Sequence, residues 1–199
     1  MKRSTRLLLL LLCCTLFFGS RFFPSIERIE VTGGEHYSAN ELVALANLEL
    51  GAPLLWVTKS SLRALEDDPW IAHAQVYKRF PGTVHLFVNE RKAYAFDGVQ
   101  TYAIDGTVLT GASTEELSTT IKIKGWGEPR YEEAFELLGI LESYAPKVIS
   151  FSPAGFTIQL ASSSVFTPSA DALKTHWASF LSQQGAYAYV YPWGVSARE

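Results

Sequence analysis

The sequence has little cysteine and no cluster of metal-ligating residues. Its two cysteines, Cys13 and Cys14, are adjacent within an apolar run near the N-terminus. The rest of the chain therefore has no thiol that could form a disulfide or bind a metal, and its stability has to come from packing. The four histidines are scattered, and none belongs to an HExxH pattern. We expect no metal site and no cofactor.

Sequence patterns of nucleotide binding and of nucleophilic catalysis are also missing. Neither GxGxxG nor GxxxxGK[ST] occurs, and the serine run at 162–164 is not part of a GxSxG elbow. Asp67 and Asp68 directly precede Pro69, a position typical of a helix end rather than of a catalytic carboxylate pair. We expect no catalytic residue and no small-molecule substrate. The enzymatic alternative is an exported hydrolase whose site has no recognisable motif.

Positive charge is scarce outside the N-terminus. Four of the 17 basic residues precede Glu27, the first of the 20 acidic residues, so the body has 13 basic against 20 acidic side chains and a net charge of −7. The four early basic residues are Lys2, Arg3, Arg6 and Arg21. Nucleic-acid binding requires clustered Lys and Arg, and the body contains no such cluster. Nucleic acid is excluded as an expected partner.

The basic N-terminus precedes an apolar block from Leu7 to Phe18, and this order places the C-terminal body outside the cytoplasm. The block is short for a membrane span of about 20 residues, and its length also fits the core of a cleaved signal peptide. Cleavage after Ser20, however, would place Phe18 where a small residue is required. We favour an uncleaved single-pass transmembrane anchor over residues 7–23, with residues 1–6 as a cytoplasmic tail.

The region after Ile26 has the element order β-α-α-β-β. A first strand is predicted before Gly33, and the capping box Ser38-Ala39-Asn40-Glu41 begins a helix. A second short helix ends before Pro69. Two strands with alternating apolar residues then meet at the Pro81-Gly82 turn.

The residues of this region resemble the POTRA domain of the FtsQ/DivIB family. The matching motifs are Ile29-x-Val31-x-Gly33, Ser38-x-x-Glu41-Leu42, Pro69-Trp70-Ile71-x-x-Ala74-x-Val76-x-Lys78-x-Phe80-Pro81 and Thr83-Val84-x-Leu86-x-Val88-x-Glu90-Arg91. Ala93 departs from the family, which commonly has proline there. The resemblance implies a POTRA domain over residues 26–93. We expect five motif residues to be structural rather than partner-binding: Gly33, Trp70, Pro81, Glu90 and Arg91.

Residues 94–199 predict a mixed or antiparallel β domain with two helices, so that the whole body is α+β. Hairpin turns are expected at Asp97-Gly98 and Asp105-Gly106. The first helix is indicated by an apolar stripe ending before Pro146, and the second by residues 169–184. Apolar residues at helical spacing mark one face of the second helix: Leu173, Trp177, Phe180 and Leu181.

A final strand with three alternating tyrosines, Tyr187, Tyr189 and Tyr191, precedes Pro192-Trp193-Gly194. This order and ending resemble the β domain that follows POTRA in FtsQ/DivIB. The family often has Asp and Arg in this strand, where the present chain has Ala188 and Val190. Partner contacts that depend on those charges are therefore not transferred.

The resemblance implies a non-enzymatic cell-division scaffold in the cell (inner) membrane, located at the division septum. In this family the β domain binds the division partners FtsB and FtsL outside the cytoplasm and links septal assembly to peptidoglycan synthesis. The predicted partner-binding residues are Tyr187, Tyr189, Tyr191, Trp193 and Gly194, because Tyr and Trp are favoured at binding hot spots and a strand near a sheet edge can recruit another chain. The alternative is a POTRA-containing protein-export or envelope-assembly factor.

Overall fold

The computed structural model describes residues 11–15, 17, 19, 24–182 and 185–198. The chain divides into two compact units, Met1–Arg91 and Lys92–Glu199. Residues 11–15 are helical. No helix in these described stretches has both the length and the apolar character needed to cross a bilayer. The predicted cytoplasmic tail lies outside the described residues, as do residues 7–10, 16, 18 and 20–23 of the predicted anchor.

The first unit has the predicted order β-α-α-β-β. Its elements are β1 (Arg28–Thr32), α1 (Ala39–Leu45), α2 (Arg63–Glu66), β2 (Ile71–Arg79) and β3 (Thr83–Glu90), with 3-10 turns at Leu54–Trp56 and Lys59–Leu62. The strand order is β1-β3-β2, with β1 parallel and β2 antiparallel to the central strand β3. The helices cover one face of this sheet, and the core between them includes Leu42, Leu65 and Leu86.

Local chemistry explains where the elements of this unit begin and end. The Ser38 hydroxyl accepts from the N–H of Glu41, whose carboxylate accepts from the N–H of Ser38, so the predicted capping box is confirmed. The Pro81-Gly82 turn joins β2 to β3 and follows a cis Phe80–Pro81 bond. The carbonyl of Gly82 accepts from the N–H of Glu27, which ties this turn to the chain entering β1.

The second unit is built around one mixed sheet, in which nine strands can be followed among the described residues. They are β4 (Ala95–Phe96), β5 (Thr101–Tyr102), β6 (Val108–Leu109), β7 (Ile121–Gly125), β8 (Val148–Ser152), β9 (Gly155–Gln159), β10 (Ser164–Thr167), β11 (Tyr187–Tyr191) and β12 (Gly194–Arg198). Their spatial order is β12-β11-β10-β9-β8-β7-β4-β5-β6. The predicted turns at Asp97-Gly98 and Asp105-Gly106 connect β4, β5 and β6.

The helices of this unit differ from the two that were predicted. They are α3 (Thr114–Ser118), α4 (Tyr131–Ile140), α5 (Ala170–Thr175) and α6 (Trp177–Leu181), with a 3-10 turn at Glu142–Tyr144. The short α3 begins at a capping box formed by Ser113 and Glu116. The predicted single helix over residues 169–184 is interrupted at His176, whose ψ of 22° is outside the helical range.

The α+β class with a POTRA domain and a large β-sheet is confirmed. In the second unit, α4, α5 and α6 contribute Leu137, Leu138, Leu173 and Phe180 to one core. The strands contribute the apolar side chains on the facing side of the sheet, among them Ile149, Ile158 and Val190. Leu181 was predicted on the same helix face but is 51% exposed, whereas its neighbour Phe180 in α6 is buried.

Candidate functional site

Along strand β11 the predicted docking residues and the core residues alternate, so they lie on opposite faces of the sheet. Ala188 and Val190 are buried, at 8% and 0% exposure, and join the core that also contains Leu173 and Phe180. Since successive side chains of a strand point to opposite faces, the three tyrosines lie on the face away from the helices. Tyr187 is exposed, and Tyr189 and Tyr191 are half-buried. The three tyrosines are therefore not part of the core that contains the helix residues Leu173 and Phe180.

Neighbouring side chains extend this outward face into an aromatic strip, which consists of Phe166, Tyr189, Tyr191 and Trp193. Phe166 of β10 is in register with Tyr189, with ring centroids 6.2 Å apart, and lies 5.7 Å from the ring of Tyr191. The rings of Tyr191 and Trp193 are stacked, with centroids 5.0 Å apart and an interplanar angle of 5°. Trp193 is 80% exposed. The strip therefore offers a large, partly solvated apolar area.

Phe166 was missed by sequence reasoning, although a signal existed. The segment Ser164-Val165-Phe166-Thr167 alternates, with Val165 and Thr167 buried and Ser164 and Phe166 half-buried. The same alternation rule that identified β11 would have identified β10 and placed Phe166 on the outward face.

The backbone edge next to the strip belongs to β12, which was not predicted. Gly194 pairs with Tyr191, Ser196 with Tyr189 and Arg198 with Tyr187, so the residues after the predicted final strand fold back along it. In the sheet order β12 is terminal. Strand β11 is consequently paired on both sides, and the predicted exposed edge is carried by β12 instead.

The turn between β11 and β12 is attached to the helical layer. His176 Nε2 lies 2.9 Å from the carbonyl oxygen of Pro192. The side chain of Val195 packs against the core of the second unit. The helix break at His176 thus has a structural consequence, since it places the imidazole where it contacts the hairpin that carries Trp193 and Gly194.

In the first unit the predicted structural residue Glu90 holds a loop by its carboxylate. Its two oxygens accept from the backbone N–H groups of Glu35, His36 and Tyr37, at 2.5, 2.6 and 3.1 Å. These three donors belong to the connection between β1 and α1. Glu90 therefore fixes the path from the sheet to the first helix.

Arg91, which follows Glu90, hydrogen-bonds to the backbone of Trp70 itself and of the residues on both sides of it. The Arg91 guanidinium donates to the carbonyl oxygens of Pro69 and Ile71 at 3.0 and 2.6 Å, and its N–H donates to the carbonyl of Trp70 at 2.6 Å. The Trp70 indole is buried and stacks on the His36 ring at 3.6 Å. The side chains of Glu90 and Arg91 therefore both hydrogen-bond to backbone groups, those of residues 35–37 and of residues 69 and 71 respectively.

The remaining motif residues, Gly33 and Pro81, lie at backbone positions with special geometry. Gly33 has φ +97°, and a Cβ there would lie 1.9 Å from the carbonyl oxygen of Val88. Glycine has no Cβ and tolerates positive φ, so it suits both demands. Pro81 lies in the β2–β3 turn.

Two tyrosines and a carboxylate form a polar cluster in the second unit. Asp97 accepts from the hydroxyls of Tyr102 and Tyr131 at 2.9 and 3.0 Å, and from the N–H groups of Val99 and Gln100. Burial raises the pKa of the Asp97 carboxyl, but these hydrogen bonds outweigh burial and hold its pKa below the ordinary value. Burial and the bond to Asp97 raise the pKa of both tyrosines. The cluster stabilises the turn after β4.

Across the residues that the structure describes, no group of three or more His, Cys, Asp or Glu side chains could hold a metal ion.

The outer face of the first unit's sheet has a shallow, open depression, which was also missed from the sequence. It is lined by Gln75, Tyr77, Lys78, Arg79, His85 and Phe87.

Comparison with known proteins extends these observations. Residues 25–91 match the family model described as a POTRA domain of the FtsQ type. The cell division protein FtsQ of Bradyrhizobium diazoefficiens is 27% identical over 138 residues, which cover 67% of this chain and 40% of that protein. The chain is therefore similar to the FtsQ/DivIB family, through the POTRA match and this FtsQ relative. The predicted resemblance is confirmed, and the matched POTRA residues include all five motif residues discussed above.

A second FtsQ relative supports the same similarity. The cell division protein FtsQ of a Geobacter species is 34% identical over 87 residues, which cover 42% of this chain and 32% of that protein. The chain thus spans less than half the length of these two FtsQ proteins.

Proposed function

We propose that this FtsQ-family chain is a non-catalytic cell-division scaffold that binds partners of the FtsB and FtsL type through its C-terminal hairpin. The scaffold acts outside the cytoplasm at the division septum and links septal assembly to peptidoglycan synthesis. The proposed organisation is a cytoplasmic tail (1–6), a single-pass anchor in the cell membrane (7–23), the POTRA domain (26–93) and the FtsQ-type β domain (94–199). The names of the two FtsQ relatives support the division role.

The observation that carries the proposal is the aromatic strip beside the terminal strand of the sheet. Aromatic side chains supply large contact areas at low cost in side-chain entropy, and they are enriched at binding hot spots. Tyr187 extends the strip at one end, and Trp193 forms its other end at the hairpin turn, where its ring stacks on Tyr191. A partner segment lying along β12 could contact the strip with its side chains and the strand with its backbone.

The backbone of β12 supplies the second half of the proposed contact. A two-residue loop, Pro192-Trp193, closes the hairpin between Tyr191 and Gly194. Because hydrogen-bonded and non-hydrogen-bonded pairs alternate along an antiparallel ladder, we expect the N–H groups of Val195 and Ala197 to point away from β11. An added partner strand would accept hydrogen bonds from these two groups.

The sharpest test separates the outward N–H groups from the inward ones. Ala197→Pro removes an outward donor, and proline is tolerated on an edge strand where the lost N–H faces solvent. We expect the full-length variant to keep its melting temperature within a few degrees and to lose recruitment of FtsB-type and FtsL-type partners. Ser196→Pro is the matched control, because it removes an inward donor and should destabilise the hairpin itself.

The aromatic strip is tested in the same assay by Trp193→Ser, with Trp126→Ser as its control. Both side chains belong to the second unit and are strongly exposed, at 80% and 70%. Loss of partner binding in the Trp193 variant alone, at unchanged melting temperature, is the expected result. Normal binding in both the Ala197 and Trp193 variants would rule out the hairpin as the docking site.

A further inference from the structure

A loop of the first unit exposes three large apolar side chains close together in sequence. Leu50, Leu55 and Trp56 are 68%, 44% and 49% exposed, while Leu54 and Val57 between and beside them are buried in the core. A single exposed apolar residue needs no explanation, but a cluster of them marks an interaction site. We call residues 50–56 the apolar loop.

The apolar loop is fastened to the chain segment that enters the first unit. The N–H of Leu54 donates to the carbonyl of Pro24 at 3.0 Å, and the N–H of Gly51 donates to the carbonyl of Ile26 at 2.8 Å. The N–H of Ile26 donates back to the carbonyl of Ala52 at 2.8 Å. The position of this loop is therefore coupled to the backbone of residues 24–26.

This coupling places the apolar loop near lipid, provided that the proposed anchor over residues 7–23 holds. Pro24 directly follows the anchor, and consecutive Cα atoms are about 3.8 Å apart. The headgroup region on each side of a bilayer is about 5–7 Å thick. Pro24 therefore lies within the headgroup region, and the loop that is hydrogen-bonded to it lies there too.

The chemistry of the apolar loop suits this depth. Trp is favoured at the boundary between headgroups and acyl chains, because its ring is apolar and its N–H is polar. The Trp56 ring already lies 5.9 Å from the ring of Phe17, which belongs to the N-terminal apolar block. Lys78 Nζ lies 3.4 Å from the carbonyl oxygen of Leu55 and can reach toward a lipid phosphate from there.

We infer that the apolar loop is a lipid-binding site, in which Leu50, Leu55 and Trp56 insert into the phospholipid headgroup region on the outer side of the membrane. The POTRA domain is then attached to the membrane at two points, by the anchor and by the loop. A second attachment removes most of the rotational freedom that a single connecting segment would leave, so the first unit has a defined orientation relative to the bilayer.

The test uses the full-length protein in vesicles of phosphatidylcholine that carries bromine on its acyl chains, a quencher of nearby tryptophan fluorescence. The chain has five tryptophans, so wild type is compared with Trp56→Phe and with Trp193→Phe, which removes another exposed tryptophan. We expect brominated lipid to quench wild type and the Trp193 variant. The Trp56 variant should lose most of this quenching, with an unchanged melting temperature.

A second variant tests insertion without removing the probe. Leu55→Glu places a charge in the loop at an exposed position, and we expect it to reduce quenching of Trp56 while the fold is retained. Equal quenching in wild type and the Trp56 variant would overturn the inference, because the quenched tryptophan would then lie elsewhere. Blue-shifted emission from Trp56 without lipid quenching would also overturn it, since the loop would then be covered by protein.

Flotation of the vesicles distinguishes failure of the loop from failure of the anchor. Protein that floats with the vesicles but shows no quenching of Trp56 keeps the proposed anchor and loses the lipid site. Protein that does not float contradicts the anchor, and the lipid site, which depends on it, is overturned as well.

Discussion

The two units use their distinctive residues in opposite ways. In the first unit Gly33, Glu90 and Arg91 are recognisable in the sequence because they hold the backbone, through close approach or hydrogen bonds. In the second unit the distinctive tyrosines of β11 point away from the core, which is filled by Ala188 and Val190. Residues that fix a backbone tolerate few replacements, whereas surface residues are free to change with their partner.

The burial of Ala188 and Val190 is consistent with the absence of charged residues in β11. The family often has Asp and Arg at the positions that align with Ala188 and Val190, but both side chains are buried here. A buried charge without a partner is strongly destabilising. The proposed docking therefore relies on aromatic side chains on the outer face rather than on charges at these two positions.

The largest effect is expected from Gly33→Ala, which tests whether the first unit depends on backbone geometry. A Cβ would lie 1.9 Å from the carbonyl oxygen of Val88, so we expect a loss of about 3 kcal/mol in the free energy of unfolding. Gly51→Ala is the control, because Gly51 also has positive φ but an added Cβ would meet no atom within 4 Å, and it should cost about 1 kcal/mol. Thermal melts of the full chain measure both. Equal losses would mean that the contact with Val88 is unimportant.

The next effect concerns the carboxylate of Glu90. Glu90→Gln replaces one of two acceptor oxygens by a donor, so at least one of the three N–H groups loses its hydrogen bond to residue 90, and we expect a loss of about 2 kcal/mol. Amide hydrogen exchange should speed up at residues 35–37. Glu30→Gln is the control, since it affects an exposed pair with His85 and should cost less than about 1 kcal/mol. Unchanged exchange at residues 35–37 would contradict the proposed role.

A smaller, pH-dependent effect is expected in the second unit from Asp97→Asn. Its pKa is lower in the folded chain than in the unfolded one, so the stabilisation is present above the ordinary Asp pKa of about 3.9 and is lost as the pH falls through the folded value. At neutral pH we expect a loss of about 1 kcal/mol. Melting curves of wild type and variant should converge in acid. Curves that stay parallel from pH 7 to pH 3 would show that the charge of Asp97 contributes nothing.

The smallest effect on stability is expected on the outward face of β11. Tyr189→Ser and Tyr191→Ser should each change the free energy of unfolding by less than about 1 kcal/mol, because both side chains are half-buried on the solvent side. Val190→Ala, at the residue between them, should cost about 2 kcal/mol because Val190 is fully buried. Denaturant unfolding measures all three. A larger loss for a tyrosine than for Val190 would assign that tyrosine to the core.

Local signals in the sequence predicted much of this fold. The capping box at Ser38 and the turns at Asp97-Gly98 and Asp105-Gly106 each fix a few residues by their own hydrogen bonds or φ values, and the structure confirms them. The capping box of Ser113 and Glu116 is the same signal, and it identifies α3, which was not predicted.

Features that depend on distant contacts were missed. Strand β12 has only five residues with weak alternation, and it is defined by its pairing with β11 and by Val195 packing on the core. The break between α5 and α6 at His176 accompanies a contact with Pro192, 16 residues away. The aromatic strip combines β10 with β11, which are separated by two helices, so sequence spacing alone could not bring Phe166 to Tyr189.

The parallel pairing of β1 with β3 has a mechanical consequence. A pull between the proposed anchor and the second unit acts on the first unit at Pro24 and at Lys92, that is, at the start of β1 and the end of β3. In the parallel register from Arg28–Thr83 to Thr32–Phe87, these opposite forces slide the two strands past each other. All the hydrogen bonds between them are then loaded together rather than one after another. If the proposed anchor holds, tension along the chain would be resisted by the whole β1–β3 ladder at once.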